Sequence, residues 1–226
     1  MASTYTERTE RTDRSILRAE TTGSLVEIAG GVAIIVLSII GLARIGTGVG
    51  ALPEISAIIL GAALIAEGGT IATEFTRLMS MSIGAAGAAE FTGGMTTEIV
   101  VGAVVLVLGV LSVLGVAPAI LVPSAIIVAG ALLLISAANV QRMNSVKVAA
   151  LETADGGQAL LQSAISTAAG FQVLAGIASV VLGILALSAT AHVAVFALAG
   201  LLVLGAAVTM SGGTLSGSLM RIINRR

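Results

Sequence analysis

A two-helix apolar hairpin occurs three times in this chain, and that recurrence limits the available folds more than any other feature. Its cores read EIAGGVAIIVLSIIGL from Glu27 to Leu42, EIVVGAVVLVLGVLS from Glu98 to Ser112, and QVLAGIASVVLGILAL from Gln172 to Leu187. Each is followed by a second apolar run, containing GAALIAEGGT, GALLLISAAN or GAAVTMSGGT. Units repeated in tandem in this way are stacked structural modules, because none buries its apolar surface alone.

The solvent for such modules is lipid. With 57% hydrophobic and 10% charged residues and a mean hydropathy of +1.10, the chain carries more apolar surface than one water-soluble core of 226 residues can bury. About 20 apolar residues cross about 30 Å of hydrocarbon. Such spans are expected near 25–45, 53–73, 98–118, 119–139, 172–191 and 194–214. The fold class is therefore all-α: a polytopic membrane protein of six transmembrane helices arranged as three tandem hairpins. In domain terms, a polar cytoplasmic tail covers 1–24, a six-helix membrane domain covers 25–220 with repeats at about 25–77, 97–142 and 171–221, and a basic cytoplasmic end covers 221–226.

Residues 1–24 alternate acid and base without an apolar core, unlike a cleavable signal peptide. The first span is expected to serve as an uncleaved anchor. Basic residues favour the cytoplasmic side. Arg8, Arg11, Arg14 and Arg18 lie in the tail, Arg77 in the second-to-third connection, Arg142 and Lys147 in the fourth-to-fifth, and Arg221, Arg225 and Arg226 at the end. Arg44 stands alone on the other side, so both termini are expected to be cytoplasmic.

Aligning the hairpins superposes Glu27, Glu98 and Gln172, then Gly31, Gly102 and Gly176 four residues on, then Ser38, Gly109 and Gly183 seven further. Seven residues are about two helical turns, so these positions share a face. Small side chains let helix backbones approach in lipid, and the odd-numbered helices are expected to form the inner seam. In the even-numbered spans Gly61, Gly130 and Gly205 align, followed six residues later by Glu67, Ser136 and Ser211. The connections at 74–97 and 140–171 are expected to be cytoplasmic, with 150–170 as a helix at the interface or leading into span five.

Few polar groups are available for chemistry. Glu67 lies inside an apolar span, seven residues before Glu74, and a charge near the bilayer centre costs about 2.5 to 3.5 kcal/mol on insertion scales. Two readings are open: a proton- or cation-carrying carboxyl, or a packing carboxyl hydrogen-bonded to a hydroxyl such as Ser136 or Thr70. Glu27 and Glu98 are read as helix N-terminal acids favoured by the macrodipole, or as a polar vestibule formed with Gln172. Arg44 and Glu54 flank the first outer turn and could pair across it, an exposed pair contributing about 0 to 1 kcal/mol. His192, the one histidine, falls in the last outer turn.

The chain contains no cysteine, which removes disulfides and thiolate chemistry. It has no second histidine for a metal cluster, no nucleophile with a recognisable base and no phosphate-binding glycine loop after a strand. No catalytic residue, metal site or cofactor is expected, nor a nucleic-acid partner. The partners expected are the bilayer and a homo-oligomer or larger membrane complex.

The pattern of an apolar helix with spaced glycines, a short proline-containing turn and a second helix with a central glycine resembles the HdeD-like family of bacterial short-repeat membrane proteins. The residues carrying it are Gly102, Gly109, Pro118 and Gly130, with Gly31, Pro53 and Gly61 before them and Gly176, Gly183 and Gly205 after. The resemblance implies an inner-membrane location and a role in acid-stress resistance, without catalytic residues to carry over. The leading functional expectation is a non-enzymatic inner-membrane protein packing as an oligomer or stress-protective component. The alternatives are a small transporter or proton pathway using Glu67, and an accessory subunit of a larger complex.

Overall fold

The computed structural model describes the backbone of residues 25–80, 85–151, 158–189 and 191–223, and the side chains of 25–69, 97–137, 170–189 and 191–211. The polar tail and residues 224–226 lie outside the described residues, as do the side chains of Arg77, Arg142, Lys147 and Arg221. Six helices and no strand occur among the described residues: α1 Leu25–Ala43, α2 Leu52–Ser80, α3 Ala85–Val113, α4 Pro118–Leu151, α5 Gln158–Ser188 and α6 Val193–Ile223. A helix satisfies its own backbone hydrogen bonds, the condition for exposing apolar side chains to hydrocarbon.

Five of these helices, all but α3, are long and apolar enough to cross a membrane, and α3 is apolar over Thr97–Val113. Their outer surfaces carry Val, Ile and Leu: Val36 and Ile39 on α1, Val100 and Val107 on α3, Ile177 and Ile184 on α5 are all exposed. An apolar exterior of this kind marks an integral membrane protein.

Glycine turns join α1 to α2 and α3 to α4. Between α1 and α2, Gly48 and Gly50 take φ of 105° and 57°, a region that glycine enters without steric cost. At the end of α3, Gly115 has φ 85°, and the N–H of Val116 reaches back to the Leu111 carbonyl at 3.0 Å. This is the left-handed helix cap, and Pro118 then opens α4, where its missing N–H costs nothing. Ala117, between them, is the one non-glycine residue with positive φ among the described residues, at 40°.

The connections on the opposite end differ from expectation. The segments 74–97 and 140–171 were expected as connections, but α2 runs to Ser80, α3 begins at Ala85, α4 runs to Leu151 and α5 begins at Gln158. Helix continues past the apolar windows because the added turns lack any proline: the chain's three are Pro53, Pro118 and Pro123. The stretch 158–170 is thus the start of α5.

The expected inner seam is also reversed. The even-numbered helices α2, α4 and α6 contact one another and occupy the centre, and a larger share of each apolar window is buried there than in α1 or α5. The core is built from Leu60 and Leu64 of α2, Ile126 and Leu132 of α4, and Leu201 and Leu204 of α6. Helices α1, α3 and α5 lie outside and bury one narrow stripe each. In α1 that stripe is Glu27, Gly31, Ile34, Ser38 and Gly41; in α3 it is Glu98, Gly102, Val105, Gly109 and Ser112. In α5 it is Gly176, Ser179, Gly183 and Ala186, with Ala175 buried beside it, continuing the same spacing from half-buried Gln172. Alternating steps of four and three give the 3.5-residue repeat of a left-handed helix seam.

Candidate functional site

The aligned glycines are where backbones touch. A Cβ built on Gly102 of α3 would lie 3.0 Å from the Gly61 carbonyl oxygen of α2 and 2.8 Å from the Ile65 nitrogen. On α4 and α5 the contact is reciprocal, Gly130 to the Gly176 oxygen at 3.0 Å and Gly176 to the Gly130 oxygen at 2.9 Å. The same holds for α1 and α6: Gly31 to the Gly205 oxygen at 2.8 Å and Gly205 to the Gly31 oxygen at 3.0 Å. Gly109 sits on the backbone of Ala57 and Ile58, and Gly183 on that of Pro123 and Ile127. At each of the eight glycines singled out in the sequence, a Cβ would meet atoms of a facing helix. The contact between α6 and α1 joins the last helix to the first.

These seams fix the level of the polar residues. Six residues beyond its seam glycine, α6 presents Ser211; four residues before its own, α1 presents Glu27. The Ser211 hydroxyl donates to Glu27 Oε1 and also contacts the Val208 carbonyl at 3.0 Å. Glu67 of α2 reaches the same Ser211 hydroxyl and interacts electrostatically with Glu27 and Glu98. Ser136 of α4 donates to Glu98 Oε1 at 3.1 Å. Glu27, Glu67 and Glu98, on three different helices, are thus gathered with two hydroxyls at one end of the bundle.

Burial is deep. Glu27 is 0% exposed and Glu98 7% exposed, while Glu67 is half-buried. Glu27 Oε2 and Glu98 Oε2 are buried with no hydrogen-bond partner among the described residues. An unpaired ionised carboxylate in such surroundings is expensive, and Arg44, the one Lys or Arg among the described side chains, lies in the turn at the other end. No group of three or more His, Cys, Asp or Glu among the described residues is placed to hold a metal ion.

Several expectations require correction. Glu98 is not at a helix N-terminus, because α3 begins at Ala85, so the macrodipole does not account for it. An open vestibule does not fit the burial of Glu27 and Glu98, and Gln172 is half-buried. Glu67 is partnered by Ser211, while Ser136 takes Glu98; the Thr70 side chain lies outside the described residues. Arg44 and Glu54 form no ion pair: Arg44 is exposed in the turn, and Glu54 Oε2 is buried without a partner in the first turn of α2. His192 is exposed.

Ser211 was missed as a partner of Glu27. The signal was present in its alignment with Glu67 and Ser136, but it becomes legible only once α6 packs on α1. No protein-family model, curated protein or solved structure matches the chain.

Proposed function

We propose that this chain is a non-enzymatic integral protein of a bacterial inner membrane, built from three tandem hairpins closed into a ring, whose carboxyl cluster binds and releases protons. The observation that carries this reading is the gathering of Glu27, Glu67 and Glu98 around the Ser211 and Ser136 hydroxyls, away from any described cation. Ser211 has a single hydroxyl hydrogen, yet Glu27, the Val208 carbonyl and Glu67 all draw on it. The shortage of donors is eased when a carboxyl contributes a second proton and donates back to the serine oxygen. Groups this close release their protons as a coupled set.

Proton binding in this setting changes the cost of keeping the cluster in the membrane, and with it the packing of α1, α2 and α3 on their neighbours. Acid-responsive behaviour follows, in keeping with the resemblance to the HdeD-like family. The test is infrared spectroscopy of the reconstituted protein across a pH series, reading the carbonyl stretch of protonated carboxyl groups. The expected result is a titrating signal that Glu67→Gln reduces and whose remaining part Glu27→Gln displaces. A spectrum without a protonated-carboxyl signal at any pH removes the proposal.

A further inference from the structure

We infer that the carboxyl cluster exchanges protons with only one side of the membrane, the side of the chain termini, and that the bundle does not conduct protons through. This deepens, and rests on, the proton-binding reading above. The cluster lies at the edge of the apolar windows: Glu27 is third in Leu25–Ala43, Glu67 third from the end of Leu52–Gly69, and Glu98 second in Thr97–Val113. Ser136 and Ser211 close their windows on the same end. On one side, Glu67 is seven residues from Glu74, or about 10 Å of helix. On the other, the next carboxyl of α2 is Glu54, thirteen residues away, or about 20 Å.

That longer distance is sealed. Ile34, Leu60, Val105, Ile126 and Leu201 fill it, all fully buried. The seams alongside are closed by backbone contacts that leave no room for a methyl group at Gly31, Gly102, Gly109 or Gly176. The polar atoms within it are isolated hydroxyls. Ser56 is tied to the Leu52 carbonyl and Thr209 to the Gly205 carbonyl, each at 2.8 Å, and Ser38, Ser112 and Ser179 have no hydrogen-bond partner among the described residues. Proton transfer needs a continuous hydrogen-bonded chain, and a buried water needs two to four polar partners. Single hydroxyls, none hydrogen-bonded to another, provide neither.

The groups facing the cluster from each packed element are known for the described residues. α4 contributes Ser136 and α6 contributes Ser211, while α5 carries Gln172 at the aligned position. The one other charged side chain within the apolar windows is Glu54, at the far end of α2; Glu74, Arg77, Glu90, Arg142, Lys147 and Arg221 fall on helical turns beyond the described side chains.

The experiment uses the full chain in proteoliposomes, with orientation read from labelling of a single cysteine placed at Gly48. A luminal pH dye follows an imposed pH gradient under a potassium–valinomycin clamp, while infrared difference spectra follow the carboxyls as pH is stepped on each side. The inference expects proton flux equal to that of empty liposomes and a carboxyl signal that answers to the terminal side alone. Flux above empty liposomes that Glu67→Gln or, independently, Glu98→Gln abolishes would overturn it, as would a signal answering to both sides. No titrating carboxyl signal from either side would instead sink the underlying proton-binding reading.

Discussion

Ser211 on α6 donates a hydrogen bond to the fully buried carboxyl of Glu27 on α1, joining residues 184 positions apart in the chain. Through this contact the last helix closes on the first. The Glu27 carboxyl, which would otherwise face hydrocarbon or the headgroup edge, becomes part of a group shared with Glu67 and Glu98.

Removing the Ser211 hydroxyl tests how much that closure depends on it. Ser211→Ala leaves Glu27 Oε1 without its donor, and a buried acceptor stripped of its partner costs about 1–3 kcal/mol. The expected outcome is an earlier thermal unfolding transition in detergent. Ser211→Thr, which restores the hydroxyl, is expected to recover most of the loss. Equal stability of the alanine variant and the parent would show that the contact contributes nothing.

Seam glycines are expected to tolerate no side chain. Gly31→Ala, Gly102→Ala and Gly176→Ala each drive a methyl group onto backbone atoms of the facing helix at 3.0 Å or less, and overpacking of this kind costs about 1–3 kcal/mol. Gly69→Ala meets no heavy atom within 4 Å and is expected to be neutral or stabilising, since alanine favours the helix. Thermal unfolding of the four variants side by side checks the contrast.

Membrane topology is open to direct labelling because the chain has no native cysteine. Single cysteines at Thr6, Ala86 and Gln158 are expected to react with impermeant reagent from the cytoplasm, and those at Gly48 and Ala191 from outside. The reverse pattern would invert the orientation derived from the basic residues.

The helices and their number were legible because apolar runs of span length, separated by Pro53, Pro118, charged segments or the short polar turn at 188–192, allow little else. The packing glycines were legible from spacing alone, since Gly31, Gly102 and Gly176 recur at the same distance from Glu27, Glu98 and Gln172. Which helices occupy the centre was not. In lipid the exposed face is as apolar as the buried one, so hydropathy does not distinguish Leu60, at the core, from Val107, on the exterior. The difference is one of stripe width and shows only in the packed structure: α1 buries one position every three or four residues, whereas α2 buries Ala57, Leu60, Gly61, Ala63, Leu64 and Gly68. The partners of the carboxyls were illegible for a related reason. The Ser211–Glu27 bond depends on α6 meeting α1, and no local pattern near either residue reports it.

Ring closure is therefore the claim on which the site depends, and cross-linking measures it most directly. With Glu27→Cys and Ser211→Cys combined in this cysteine-free chain, a short bifunctional thiol reagent applied to the membrane-embedded protein is expected to join α1 to α6 within one molecule. The bond would be seen by mass spectrometry of the linked peptides. Ile39→Cys with Ser211→Cys, about 18 Å further along α1, is expected to give no such product. Efficient linkage in the control pair, or none between positions 27 and 211, would contradict the closed ring and the carboxyl cluster it creates.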